Sequence, residues 1–152
     1  MPITFSVPII AFASISAIRA LIPVNQSSGS GDALLNAIAA AVPSPTTSIL
    51  HDLARSGPED GWAVGKNGVT LRLSATGWEV VPSPTVVSLR GVTVDGTTAW
   101  AVGDGGVILR LVGNEWQMVS SPTGIGLLGV AAAGGEAWAV GLNGTPLHYP
   151  TP

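Results

Sequence analysis

The chain contains no cysteine, which excludes structural disulfides and thiolate metal sites together. Charge is scarce as well, with nine Asp and Glu, six Lys and Arg, and 10% charged residues in 152. The net charge of −3 leaves no basic stripe to neutralise phosphates, so nucleic acid is not an expected partner. The two histidines, His51 and His148, share no metal-ligand spacing, and no metal or cofactor is expected. Eight of the nine acidic residues (Asp52, Glu59, Asp60, Glu79, Asp95, Asp104, Glu115, Glu136) fall mostly in turns. A glycosidase needs two carboxylates converging on one bond, and no such pair can be read from their positions. Gly103-Asp104-Gly105-Gly106 lacks the following Lys-Ser or Lys-Thr of a phosphate loop, and no serine sits in a Gly-x-Ser-x-Gly elbow. The expectation is a protein that is not an enzyme.

Glycine and proline, by contrast, are abundant at 20 and 12 residues, in a chain that is 46% hydrophobic. Such a mixture fits many short strands joined by tight turns and disfavours long amphipathic helices. Together with the low charge and the Ser, Thr and Gly content, it leads to the expectation of an extracellular or cell-surface protein.

Self-similarity organises the sequence. Trp-Ala-Val-Gly occurs at Trp62 to Gly65, Trp100 to Gly103 and Trp138 to Gly141, each 38 residues after the last. A turn follows each copy (Lys66-Asn67-Gly68, Asp104-Gly105-Gly106, Leu142-Asn143-Gly144), and Asn-Gly or Gly-Gly tolerates the positive φ of a tight hairpin. Then come Leu71 to Leu73, Leu109 to Leu111 and Leu147 to Tyr149, and after the first two of these Trp78 and Trp116, again 38 apart. Each of those two tryptophans opens a strand that ends in Ser-Pro-Thr. One repeat therefore holds four short strands, the content of one propeller blade. Upstream, Val42-Pro43-Ser44-Pro45-Thr46 matches Val81 to Thr85 at an offset of 39, so one residue is inserted before Trp62.

A third outer Trp, due 38 residues after Trp116, would fall beyond Pro152. The expected remedy is a closing strand from 37–46 that completes the blade begun by Leu127 to Tyr149, because an unpaired sheet edge is a liability. Blades are expected over about 47–85, 86–123 and 124–152, in a repeat domain spanning 32–152. Three blades fall short of the roughly four to eight of closed propellers. Oligomerisation is therefore expected to complete a ring or array, with a homodimer of three-blade chains favoured over a nine-blade trimer, and a filament as the third possibility.

The pattern Ala-Trp-Ala-Val-Gly-x-x-Gly-x-x-Leu-x-Leu, followed by Trp and Val-x-Ser-Pro-Thr, resembles the bacterial propeller repeats related to photosystem II assembly-factor propellers and the wider Asp-box group. The likeness runs from about Val42 to Tyr149 and implies an all-β propeller fold. Two features depart from those families: the small number of blades, and Leu73-Ser74-Ala75-Thr76-Gly77-Trp78 where an Asp-box would read Ser-x-Asp-x-Gly-x-Thr-Trp. Propellers host many functions, so the resemblance leaves the role open.

Residues 1–31 read as an apolar N-terminal arm followed by a Ser/Gly connector. Met1 to Val24 has no cationic start, is interrupted by Pro8 and Pro23, and carries Arg19, which argues against a signal peptide or membrane anchor. Ile3, Phe5, Val7 and Ile9 alternate with Thr4, Ser6 and Pro8 in the period of a strand that packs on its own propeller or adds to a neighbour. Asp32 is placed to cap a short helix towards Ala37.

Five tryptophans carry the candidate sites. Trp62, Trp100 and Trp138 lie inside strands beside Ala and Val, and are expected to pack between blades as the structural repeat core. Trp78 and Trp116, each at the start of an outer strand, are the candidate ligand-binding residues, as platforms for a sugar face. Two readings follow: a self-assembling structural or interaction module, or a lectin-like carbohydrate-binding propeller with a glycan between blades.

Overall fold

A computed structural model describes residues 41–150. The chain divides into two compact units, Met1–Val42 and Pro43–Pro152, and the second carries every element named below. The arm, the connector, the helix from Asp32 and the first residues of the closing strand lie outside the described residues.

Among the described residues, eleven strands form three antiparallel sheets, each strand pairing with its neighbour in sequence. The first blade holds β1 (Leu50–Gly57), β2 (Asp60–Gly65), β3 (Thr70–Ser74) and β4 (Gly77–Val81). The second repeats it as β5 (Leu89–Asp95), β6 (Thr98–Gly103), β7 (Ile108–Val112) and β8 (Glu115–Val119). The third holds β9 (Leu127–Ala133), β10 (Glu136–Gly141) and β11 (Pro146–Tyr149), a sheet of three. The fold is all-β and built of propeller-type blades.

Local chemistry fixes each blade. Asn67 and Gly68 both hold positive φ, 59° and 70°, and the Val69 N–H donates to Lys66 O at 3.3 Å. These are the dihedral signs of the tight hairpin turn that the Asn-Gly pair implies. The glycine ending each Trp-Ala-Val-Gly acts differently, through close approach: a Cβ on Gly65, Gly103 or Gly141 would collide with the carbonyl of Ile49, Ser88 or Gly126. At the same places the N–H groups of Lys66, Asp104 and Leu142 donate to those carbonyls at 2.8, 3.0 and 2.9 Å. The inserted residue of the first repeat is absorbed as a bulge: β1 and β2 slip register between Arg55 and Gly57, a slip absent from β5 and β6.

The core lies between blades. Trp62 and Val64 of the first blade meet Ala99, Ala101, Leu109 and Leu111 of the second. On the second blade's other face, Trp100, Val102 and Ile108 meet Leu127, Ala137 and Ala139 of the third. In β2 and β6 every residue from the first glycine or alanine to the last glycine is therefore buried. Polar stitches cross the same junctions, with Asp52 accepting the Val92 N–H at 2.9 Å and Asp95 the Gly135 N–H at 2.8 Å.

The closing strand expected over 37–46 is corrected in part. Residues 41–46 belong to no strand, and β11 has no further neighbour among the described residues.

Candidate interaction face

Strand register sets a second repeated feature. Trp62 stands opposite Arg72, Trp100 opposite Arg110 and Trp138 opposite His148 across each second and third strand. The Arg72 and Arg110 guanidinium carbons lie 5.7 and 5.2 Å from the indole centroids, within cation–π range. His148 stacks on Trp138 at 4.1 Å and 18°, and its Nε2 lies 3.5 Å from the Glu136 carboxylate. The spacing of 38 between Arg72, Arg110 and His148 was visible in the sequence and was the signal that could have found this ladder.

The three equivalent tryptophans part company in burial. Trp62 is 3% exposed and Trp100 1%, whereas Trp138 is 53% exposed. Trp138 was expected inside a blade junction; among the described residues no blade follows the third, and in the single chain its outward face is bare. Val140 and Leu142 beside it and Leu128 on β9 are exposed as well. Exposed apolar clusters of this kind are candidate interaction surfaces.

The same positions on the second blade sharpen the point. Leu128 and Leu142 occupy the repeat places of Arg90 and Asp104, which form a two-pronged ion pair with both N···O distances at 2.8 Å. Hydrogen bonding from Arg90 holds the Asp104 carboxyl below the usual carboxylate range. Where the second blade carries a charged pair, the third carries two leucines.

Trp116 is also corrected. Leu111 pairs with it across β7 and β8, which turns the indole into the first junction, 4.9 Å from Trp62 and edge-on at 77°. Only 5% of Trp116 is exposed, so no sugar can stack on it. Trp78 is half-buried opposite Leu73. The two candidate ligand-binding residues therefore do not form repeated equivalent platforms. His51 is half-buried on β1, where its Nδ1–H donates to Leu89 O at 2.7 Å.

A cavity of about 240 Å³ opens beside the first junction, lined by Asp60, Trp62, Arg72, Thr97, Thr98 and Asn114 among others. Arg72 donates to Asn114 Oδ1 there at 2.9 Å. Asp60 is the one carboxylate lining it among the described residues.

No protein-family model matches the chain, and no curated protein matches it in sequence. Among solved structures, it is similar to YCF48 bound to D1 peptide, with a TM-score of 0.60 and 20% identity. It is similar also to YCF48 from Cyanidioschyzon merolae, with the same TM-score and 29% identity. Each match covers 70% of this chain but only 39% and 38% of the other. The chain thus spans less than two fifths of those propellers, and the likeness carries the fold.

Proposed function

We propose that this chain is a non-enzymatic propeller module that works by docking blade against blade, with a second copy of itself as partner. The observation that carries this reading is the contrast of Trp62 and Trp100 with Trp138. One sequence motif packs its tryptophan under a neighbouring blade twice and leaves it bare the third time. The chain's own blades supply the complementary surface, a pair of alanines, a leucine and an aromatic, as seen in Ala99, Ala101, Leu109 and Trp116. A two-copy ring of six blades would seat the third blade of each copy on the first blade of the other. There Ala63 and Leu71 are the counterparts of Ala101 and Leu109. On the third blade the same event covers bare surface. An extracellular location belongs to the same proposal and rests on composition alone.

Sedimentation or native mass measurement at micromolar concentration tests it. The expected result is an assembly of two or more copies that Trp138→Glu reduces to monomers still showing strand structure. A wild-type chain that stays monomeric at the highest soluble concentration overturns the proposal.

A second reading, capture of a peptide from another protein, draws on the YCF48 structure bound to D1 peptide. Binding of an extended peptide by monomers, with self-association absent, would favour it. The carbohydrate reading is left with Trp78, and a glycan array with no hit on the assembled protein removes it.

A further inference from the structure

The cavity beside the first junction collects side chains from three hairpin ends. Asp60 opens β2, Thr97 belongs to the two-residue loop between β5 and β6, and Asn114 to the one between β7 and β8. Arg72 reaches in from β3, and Val94 and Leu111 supply an apolar wall. Its volume of about 240 Å³ is smaller than the roughly 300–1,000 Å³ of pockets that take drug-sized ligands. The space suits a small metabolite.

Both charges there are incompletely used. The Ser56 hydroxyl donates to Asp60 Oδ2, and Arg72 Nη1 donates to Asn114 Oδ1 at 2.9 Å. Asp60 Oδ1 and Arg72 Nη2 lie 3.9 Å apart, too far for a hydrogen bond. Among the described residues neither atom has a hydrogen-bond partner. A carboxylate oxygen and a guanidinium N–H with spare hydrogen-bonding capacity thus stand side by side.

That charge pattern selects a ligand. A lone anion would meet the Asp60 carboxylate and a lone cation the Arg72 guanidinium, each a like-charge contact. A neutral sugar would find no ring to stack on, because Trp62 is 3% exposed, with Arg72 at 5.7 Å and Trp116 at 4.9 Å from its centroid. A molecule carrying both charges a few bonds apart satisfies both atoms at once. The other blades offer no such pair. In the places of Asp60 and Arg72 the second blade has Thr98 and Arg110, without the acid, and the third has Glu136 and His148.

We propose that this cavity binds a free α-amino acid with an apolar side chain of middle size. Its carboxylate takes Arg72 Nη2, its ammonium takes Asp60 Oδ1, and its side chain lies against Val94 and Leu111. A peptide terminus carries only one of the two charges and would leave either Asp60 or Arg72 unsatisfied. The site lies within one chain, between the first and second blades, so it stands or falls independently of the self-assembly proposed above.

Titration of the isotope-labelled full chain with L-leucine, followed by amide chemical shifts, tests the site. The expected result is saturable one-to-one binding with the largest shifts at Gly96, Thr97 and Asn114. Isocaproate, which is leucine without its amino group, and leucinamide, which lacks the carboxylate, should each bind about tenfold more weakly, the worth of one hydrogen bond to a charged group. Asp60→Asn keeps an acceptor for Ser56 and leaves the guanidinium alone, so isocaproate should then bind as tightly as leucine. Thr97 is exposed at a loop tip, and Thr97→Trp should fill the cavity and abolish binding with strand structure intact by circular dichroism. Absence of saturable leucine binding overturns the proposal, as does equal binding of isocaproate or leucinamide by the unsubstituted chain. Unchanged selectivity in folded Asp60→Asn, or leucine binding that survives Thr97→Trp, overturns it as well.

Discussion

The second and third blades carry nearly the same second strand, Thr-Ala-Trp-Ala-Val-Gly in β6 and Glu-Ala-Trp-Ala-Val-Gly in β10, yet bury it differently. In β6 both faces are covered, whereas in β10 only the face bearing Ala137 and Ala139 is. A strand apolar on both faces suits a layer between two others, and among the described residues β10 is covered on one face where its sequence is written for two. The lesson is that burial is a property of the stack and not of the repeat. Position in the array decides which copy of a motif becomes core and which becomes interface.

Removing the indoles should produce the largest difference. Trp100→Ala should destabilise by about 3–5 kcal/mol, as large-to-small core changes do. Trp138→Ala in the monomer should cost well under half of that, because its exposed face is already wet. Urea unfolding of both variants at a concentration too low for assembly measures the gap. Equal costs would mean that the third blade's outward face is covered in the single chain, which would break the comparison.

A smaller effect should fall equally on both blades. Gly103→Ala and Gly141→Ala each drive a methyl into a carbonyl of their own blade, Ser88 O or Gly126 O. Each should cost roughly 1–3 kcal/mol by overpacking, irrespective of what lies on the outward face. Similar midpoint shifts would show that the third blade is internally as well made as the second. A much smaller shift for Gly141→Ala would show a blade that is loose throughout.

The least effect is expected from acid. Arg90 holds the Asp104 carboxyl below its ordinary range. Its contribution is therefore present above the unfolded carboxylate's pKa and is lost as pH falls through the lower folded value. The pair is exposed, so the loss should be slight. Asp104→Asn should flatten the acid limb of the stability profile, read as the urea midpoint from neutral to acid pH. Leu142→Asp, which restores an acid at the third blade's equivalent place opposite Leu128, should instead weaken assembly.

Much of this was legible beforehand. The period of 38 marked the repeats, the Asn-Gly turns located the hairpins, and the change of offset from 38 to 39 marked the insertion that the structure takes up as the bulge at Arg55–Gly57. Trp116 was misjudged because a strand's period of two does not say which face meets a neighbour. Its burial depends on the Leu111 register and on Trp62 in another blade. The exposure of Trp138 in the single chain could not be read for a related reason, since Trp138 reads the same as Trp62 and Trp100 until the stack is counted.

The sequence by itself determined the unit: four strand segments, their turns and the glycines where backbones touch. These follow from local sterics and short-range hydrogen bonds, which each repeat carries in full. Only the tertiary structure decided which tryptophans are core, which carboxylates are tied to backbone N–H groups, and where apolar surface is left over. Those outcomes depend on contacts between residues about one period apart, and a contact of that kind exists only when a second blade is there to make it.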